Sequence, residues 1–156
     1  MELQIEWSKS LVLKEKTDPD LLYAIDTNKL PKHSGIYVFG RKWGKGFEAL
    51  YVGKAKNIQS RVNGQFNNLR LMRYIQNAKN GKRIILFGKI KTRRGQQIDK
   101  CLTLTERGLI RHFLSEGHDL TNKQGARIRR HEIKSSGKIH KKFVPGLIYL
   151  EKARGE

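Results

Sequence analysis

Two short stretches decide how this chain folds: GIYVF at Gly35–Phe39, and ALYVGKAKNIQSRVNGQF running from Ala49 to Phe66. Turn-forming Pro31-Lys32-His33-Ser34 precedes the first stretch, whose alternation predicts a strand. Period two puts Ile36 and Val38 on one face and Gly35, Tyr37 and Phe39 on the other. In a second strand over 49–53 the same rule sets Leu50 and Val52 against Ala49, Tyr51 and Gly53. The intervening GRKWGKGFE reads as a Gly-rich basic loop closing an antiparallel hairpin. Within it, Gly44–Ala49 fits a G-x-G-x-x-A dinucleotide pattern, but a strand follows where that fingerprint needs a helix, so no nucleotide cofactor is expected. A glycine beside each tyrosine leaves bare backbone that another molecule could approach.

Outward from this hairpin, Asn57 is a natural N-cap for a helix over about 58–68, with Ile58, Val62, Phe66 and Leu69 as its apolar stripe and Arg61 and Gln65 along its edge. A second helix over about 70–79 stops at Asn80-Gly81, and a third strand covers 83–91. Helical spacing returns at Ile98, Leu102, Leu109, Ile110 and Phe113, ending at Gly117. The order predicts an α+β fold: a small, mainly antiparallel mixed sheet flanked by helices. Glu106 falls inside the last apolar stripe, where an unpaired carboxylate would cost several kcal/mol. It therefore calls for a metal ion, an ion pair with Arg61, or a route to water.

The chain has 156 residues, about one domain's worth, and a net charge of +19. Residues 1–30 carry a net −2, so the basic character belongs to the rest. Such a surface repels itself unless a polyanion shares its field, which makes nucleic acid the leading partner. The segment 123–142 holds eight basic residues and one acid; it reads either as a phosphate-tracking extension or as a solvated tail. One cysteine, Cys101, and five unclustered histidines exclude a disulfide framework and argue against structural zinc. Cys101 reads as a buried small hydrophobe, and His112 and His118 as packing residues. No membrane span or signal peptide is evident, so a cytoplasmic location is the default expectation.

Taken together, Gly35-Ile36-Tyr37, Tyr51-Val52-Gly53, Arg61 ten positions after Tyr51, Glu106 in ERGLI and Asn122 in LTNKQG resemble the GIY-YIG nucleases, particularly the excinuclease C type of nuclease domain. The resemblance covers about 33–125, leaving 1–32 as an N-terminal extension and 126–156 as a basic C-terminal extension. It implies a divalent-metal-dependent DNA endonuclease that leaves 5′-phosphate and 3′-hydroxyl ends, acting on double-stranded DNA, with a homodimer compatible. Tyr37 is then the general base, Tyr51 positions the nucleophile or polarises Tyr37, and Arg61, aided by Lys54, stabilises phosphate charge. Glu106 holds Mg2+ or Mn2+, and substrate contacts are expected from Asn122, Lys56, Gln65, Arg127, Arg129 and Arg130. For the base role the proton affinity of Tyr37 must fall, with Lys54, Arg61 and the metal as sources of positive charge. Gln65 stands where the family often has tyrosine or histidine, and the interval from Glu106 to Asn122 is long for the pattern. The rival reading is a DNA- or RNA-binding module of this fold whose nuclease site has decayed.

Overall fold

In a computed structural model that describes residues 1–138 and 143–156, the chain forms a helix-flanked antiparallel sheet. Its elements run β1 (Gln4–Trp7), β2 (Leu11–Val12), β3 (Lys14–Asp18), β4 (Leu21–Ala24), β5 (Gly35–Trp43), β6 (Gly46–Ala55), α1 (Ile58–Gln65), α2 (Leu69–Gln76), β7 (Lys82–Lys91), α3 (Ile98–Ser115), β8 (Arg130–Lys134) and β9 (Leu147–Glu151). The main sheet has the order β1-β7-β5-β6, with β2 also paired to β7, and all its pairings are antiparallel. Two separate hairpins, β3–β4 and β8–β9, complete the α+β architecture.

The sheet buries both faces. Tyr37, Phe39, Tyr51 and Phe87 pack with Ile58, Val62, Leu71, Met72 and Ile75 from α1 and α2. Ile36, Val38 and Val52 pack on the other face with Cys101, Leu102 and Leu114 from α3. Alternation predicts these faces correctly as far as Tyr51. There the register shifts, Phe39 pairing with Tyr51 but Gly40 with Ala49, so Leu50 is an extra residue in a β-bulge. The bulge sends Leu50 to the Tyr51 side and Ala49 to the Val52 side, reversing the faces expected for both.

Local signals account for the helix boundaries. Asn57 Oδ1 accepts from the amide of Ser60 at 3.1 Å, and Asn68 Oδ1 from that of Leu71 at 3.2 Å, so each asparagine starts a helix. The second cap ends the first predicted helix earlier than expected. Gly117, at φ +85°, stops α3 as anticipated. The supposed loop at 40–48 is instead strand up to a turn at Gly44-Lys45, where Gly44 takes φ +50°.

Neither terminal segment stands apart. Both β1 and β2 extend the main sheet, and Leu13, Tyr23 and Leu30 enter the core, so packing does not break at residue 32. Within the basic segment, β8 pairs with β9 from Arg130↔Glu151 to Lys134↔Leu147, while 139–142 lie outside the described residues. Among the described residues, no helix is long and apolar enough to cross a membrane.

Arg83 fastens α2 to β7. Its guanidinium donates to the carbonyls of Ile75, Gln76, Ala78, Lys79 and Gly81, satisfying acceptors that a helix end leaves open. Arg83→Ala should therefore lower the unfolding free energy by about 3 kcal/mol, measured by urea denaturation.

Candidate active site

The site wraps around β6, the outer strand of the main sheet. Tyr37 on β5 and Tyr51 on β6 reach it from the α1 face. Lys54 and Glu106 reach it from the α3 face, and Arg61 and Gln65 come from α1. All six side chains, with Asn122, line one open cleft of about 770 Å3.

Glycine makes the phenol cluster fit. Gly53 pairs with Tyr37 across the strands, and a Cβ there would come within 2.3 Å of the Tyr37 ring and 2.5 Å of its hydroxyl. A Cβ on Gly35 would meet the Gly88 carbonyl oxygen at 2.0 Å. Both glycines thus make room for neighbours inside the protein, which corrects the expectation of bare backbone for an outside molecule. The Tyr37 and Tyr51 rings lie 5.9 Å apart at 46°, and Gln65 Nε2 donates to both hydroxyls, at 2.8 Å and 3.4 Å. Gln65 and Tyr37 are buried, at 4% and 1% exposure.

Burial governs the electrostatics. It pushes the Tyr37 phenol well above the usual tyrosine range, reinforced by neighbouring Tyr51, while the bond from Gln65 pulls the other way. The Tyr51 phenol is raised too, again chiefly by burial. The lowering of Tyr37 that a resting general base would need is therefore absent: desolvation outweighs the Arg61 charge. Burial likewise raises the Glu106 carboxyl, with Lys54 partly offsetting it. Lys54 Nζ stands 3.8 Å from Glu106 Oε2 and donates to Thr103 Oγ1 at 2.8 Å. Glu106 Oε2 is buried and accepts no hydrogen bond among the described residues. Exposed Arg61 makes no ion pair within 4 Å among the described residues, so it is not the carboxylate's direct partner.

A half-buried carboxylate with one unsatisfied oxygen, lining an open cleft, fits a hard divalent cation, which favours oxygen ligands and keeps several waters. Among the described residues no group of three His, Cys, Asp or Glu could enclose an ion, so phosphate and water oxygens would have to complete the shell.

The other expected contacts divide. Asn122 lines the cleft, but its Oδ1 accepts from the amides of Gln124 and Ala126, bracing its own loop and leaving only Nδ2 for a ligand. Arg130 is engaged within the fold: it donates to the His118 carbonyl, pairs with Asp119 at 3.6 Å and stacks on Tyr149 at 3.9 Å. Arg127 pairs with Asp119 at 2.7 Å and Lys56 with Asp99 at 3.2 Å, while exposed Arg129 lines the cleft with no ion pair among the described residues. His118 accepts from the Ala49 amide and stacks on Phe113, and Cys101 is buried, both in packing roles as expected. Sequence reasoning missed Thr103, which anchors Lys54, and the segment Glu151–Glu156, which lines the cleft opposite the phenols. The apolar run Leu147–Leu150 was a usable signal for the strand carrying that segment.

Over 52 residues, 33% of its length, the chain is 44% identical to the UvrABC system protein C of Petrotoga mobilis. The matched region spans only 8% of that protein. No family model matches the chain, and no solved structure matches it.

Because Glu106 is harder to ionise folded than unfolded, its charge opposes folding once pH exceeds the unfolded carboxyl value. Glu106→Gln should thus raise the melting temperature at pH 7 in EDTA. The gain should shrink as pH falls from the raised folded value toward the ordinary glutamate value of about 4.3 and vanish below it; thermal melts across pH would check it.

Proposed function

We propose that this protein hydrolyses phosphodiester bonds of DNA as a divalent-metal-dependent endonuclease. One observation carries the reading: a carboxylate with an orphaned oxygen shares a cleft with an unpaired guanidinium and two phenols, on a chain of net charge +19. The motif resemblance supports it, as does the partial likeness to UvrABC system protein C.

Glu106 would hold Mg2+ or Mn2+ through Oε2, and the ion when bound supplies Lewis-acid polarisation of the scissile phosphate. Arg61, with no carboxylate within 4 Å among the described residues, offers planar donors to a phosphate oxygen and to the charge that builds there. Lys54, steadied by Thr103, adds positive charge on the α3 side. Tyr37 enters the complex protonated, and its hydroxyl and that of Tyr51 orient the attacking water. Should Tyr37 take the water's proton, the chain's own source of stabilising charge is Arg61, which already opposes the effect of burial at both phenols. Cleavage leaves 5′-phosphate and 3′-hydroxyl ends.

A second reading, a nucleic-acid binder that does not cut, draws on Lys54: its ammonium stands 3.8 Å from the carboxylate that a metal would use. Supercoiled plasmid separates the two. Wild-type protein should nick it in Mg2+ and not in EDTA, and Glu106→Gln should abolish nicking while oligonucleotide binding in EDTA persists. Arg61→Ala should slow single turnover by about 10²–10³-fold. Binding without nicking by a contaminant-free wild-type preparation would favour the binder, and full activity in Glu106→Gln would remove that residue from metal binding.

A further inference from the structure

Gln65 occupies the last position of α1, 4% exposed, in the cleft it shares with Tyr37, Tyr51, Lys54, Arg61 and Glu106. A buried carboxamide costs free energy unless it is hydrogen-bonded, and helix-end amides commonly find backbone partners. This one does not: among the described residues its side-chain bonds go to the two phenols alone, at 2.8 Å to Tyr37 and 3.4 Å to Tyr51. As packing filler, methionine would occupy the same volume without the desolvation cost. The polar group makes sense only through what it holds.

What it holds has a direction. An amide nitrogen carries two protons and can serve two acceptors at once. A phenol oxygen that accepts from it must aim its own proton elsewhere. Tyr37 is enclosed by Phe39, Tyr51 and the bare backbone of Gly53, and both phenols border the cleft. The two hydroxyls also interact with each other; without the amide either could donate to the other, and the proton pattern facing the cleft would be a mixture.

We propose that Gln65 is a positioning residue: donating from one nitrogen to the hydroxyls of both Tyr37 and Tyr51, it fixes the two phenols and turns their O–H bonds toward the place where water and phosphate meet. The role it serves rests on the phosphodiesterase reading. The clamp itself is a hydrogen-bonded arrangement that exists without turnover, so the two can be judged apart.

Gln65→Met keeps the volume and removes both donors. Gln65→Glu keeps the shape but replaces donors with acceptors. The full chain is labelled at tyrosine 13Cζ, giving five resonances for its five tyrosines, assigned through single Tyr→Phe variants. Both substitutions should shift the Tyr37 and Tyr51 resonances and leave the other three in place. With a 20-mer duplex as probe, dissociation constants in EDTA should stay within about twofold, while single-turnover cleavage in Mg2+ falls about 30–100-fold, since small misplacements of reacting groups act on rate rather than binding. Thermal melts of the variants show whether either substitution merely unfolds the protein; an intact 13Cζ pattern at the other three tyrosines gives the same check residue by residue.

Unmoved Tyr37 and Tyr51 resonances in Gln65→Met would overturn the clamp. Wild-type resonances and rate in Gln65→Glu would mean that the amide oxygen, not the nitrogen, faces the phenols, and would overturn it too. Shifted resonances with an undiminished rate would refute the positioning role. A wild-type protein that cuts nothing contradicts the nuclease reading, and the resonances then decide the clamp alone.

Discussion

The packing of the Tyr37 ring over Gly53, across the β5–β6 pair, is the constraint on which the site depends. A side chain at Gly53 would occupy the phenol's place, with its Cβ 2.3 Å from the ring. Laid flat over that gap, Tyr37 extends toward α1, where Gln65 meets it, and stays buried with Phe39 and Tyr51. The contact therefore converts a hairpin's register into the placement of a functional group. It also explains why the phenol is so hard to ionise, because a ring sealed this well loses the water that would solvate its anion.

The second constraint is that β6 is the outermost strand of the main sheet. Side chains from an inner strand can serve only one face, but around an outer strand both faces reach a common opening. Tyr51 comes from the α1 face, while Lys54 and Glu106 come from the α3 face. The chain after α3 then runs beside this edge: Thr121 N donates to Leu50 O at 2.8 Å, at the residue that the bulge inserts. Loop 122–126 and the segment after β9 supply the far side of the cleft. An open cleft at a sheet edge leaves Glu106 desolvated enough to be short of partners and open enough to acquire one.

Much of this was legible in the residues. Alternation around Tyr37 and Tyr51, the cap at Asn57, and a carboxylate inside an apolar helical stripe are local patterns, and local physics fixes them. What escaped depended on long-range pairing. The bulge at Leu50 cannot be read from alternation, because both Ala49 and Leu50 are apolar and either phase looks sound. Strands β1 and β2 are short and largely exposed, and they gain their meaning only from the edge of β7. Arg130 looked like a phosphate ligand within a run of charge. Only the return of β9 brought Tyr149 beneath its guanidinium and engaged it within the fold. The rise in Tyr37 proton affinity was hidden for a similar reason, since burial is a property of the assembled core, whereas nearby lysines and arginines are visible in the chain.

Glu106 is proposed to offer a divalent ion a seat beside the two phenols and Arg61. Anomalous diffraction from crystals soaked in Mn2+ tests it directly. Such crystals should show a peak in contact with Glu106 Oε2, within the cleft bordered by Tyr37, Tyr51 and Arg61. Bound manganese found only elsewhere, with the Lys54 ammonium still against the Glu106 carboxylate, would contradict it.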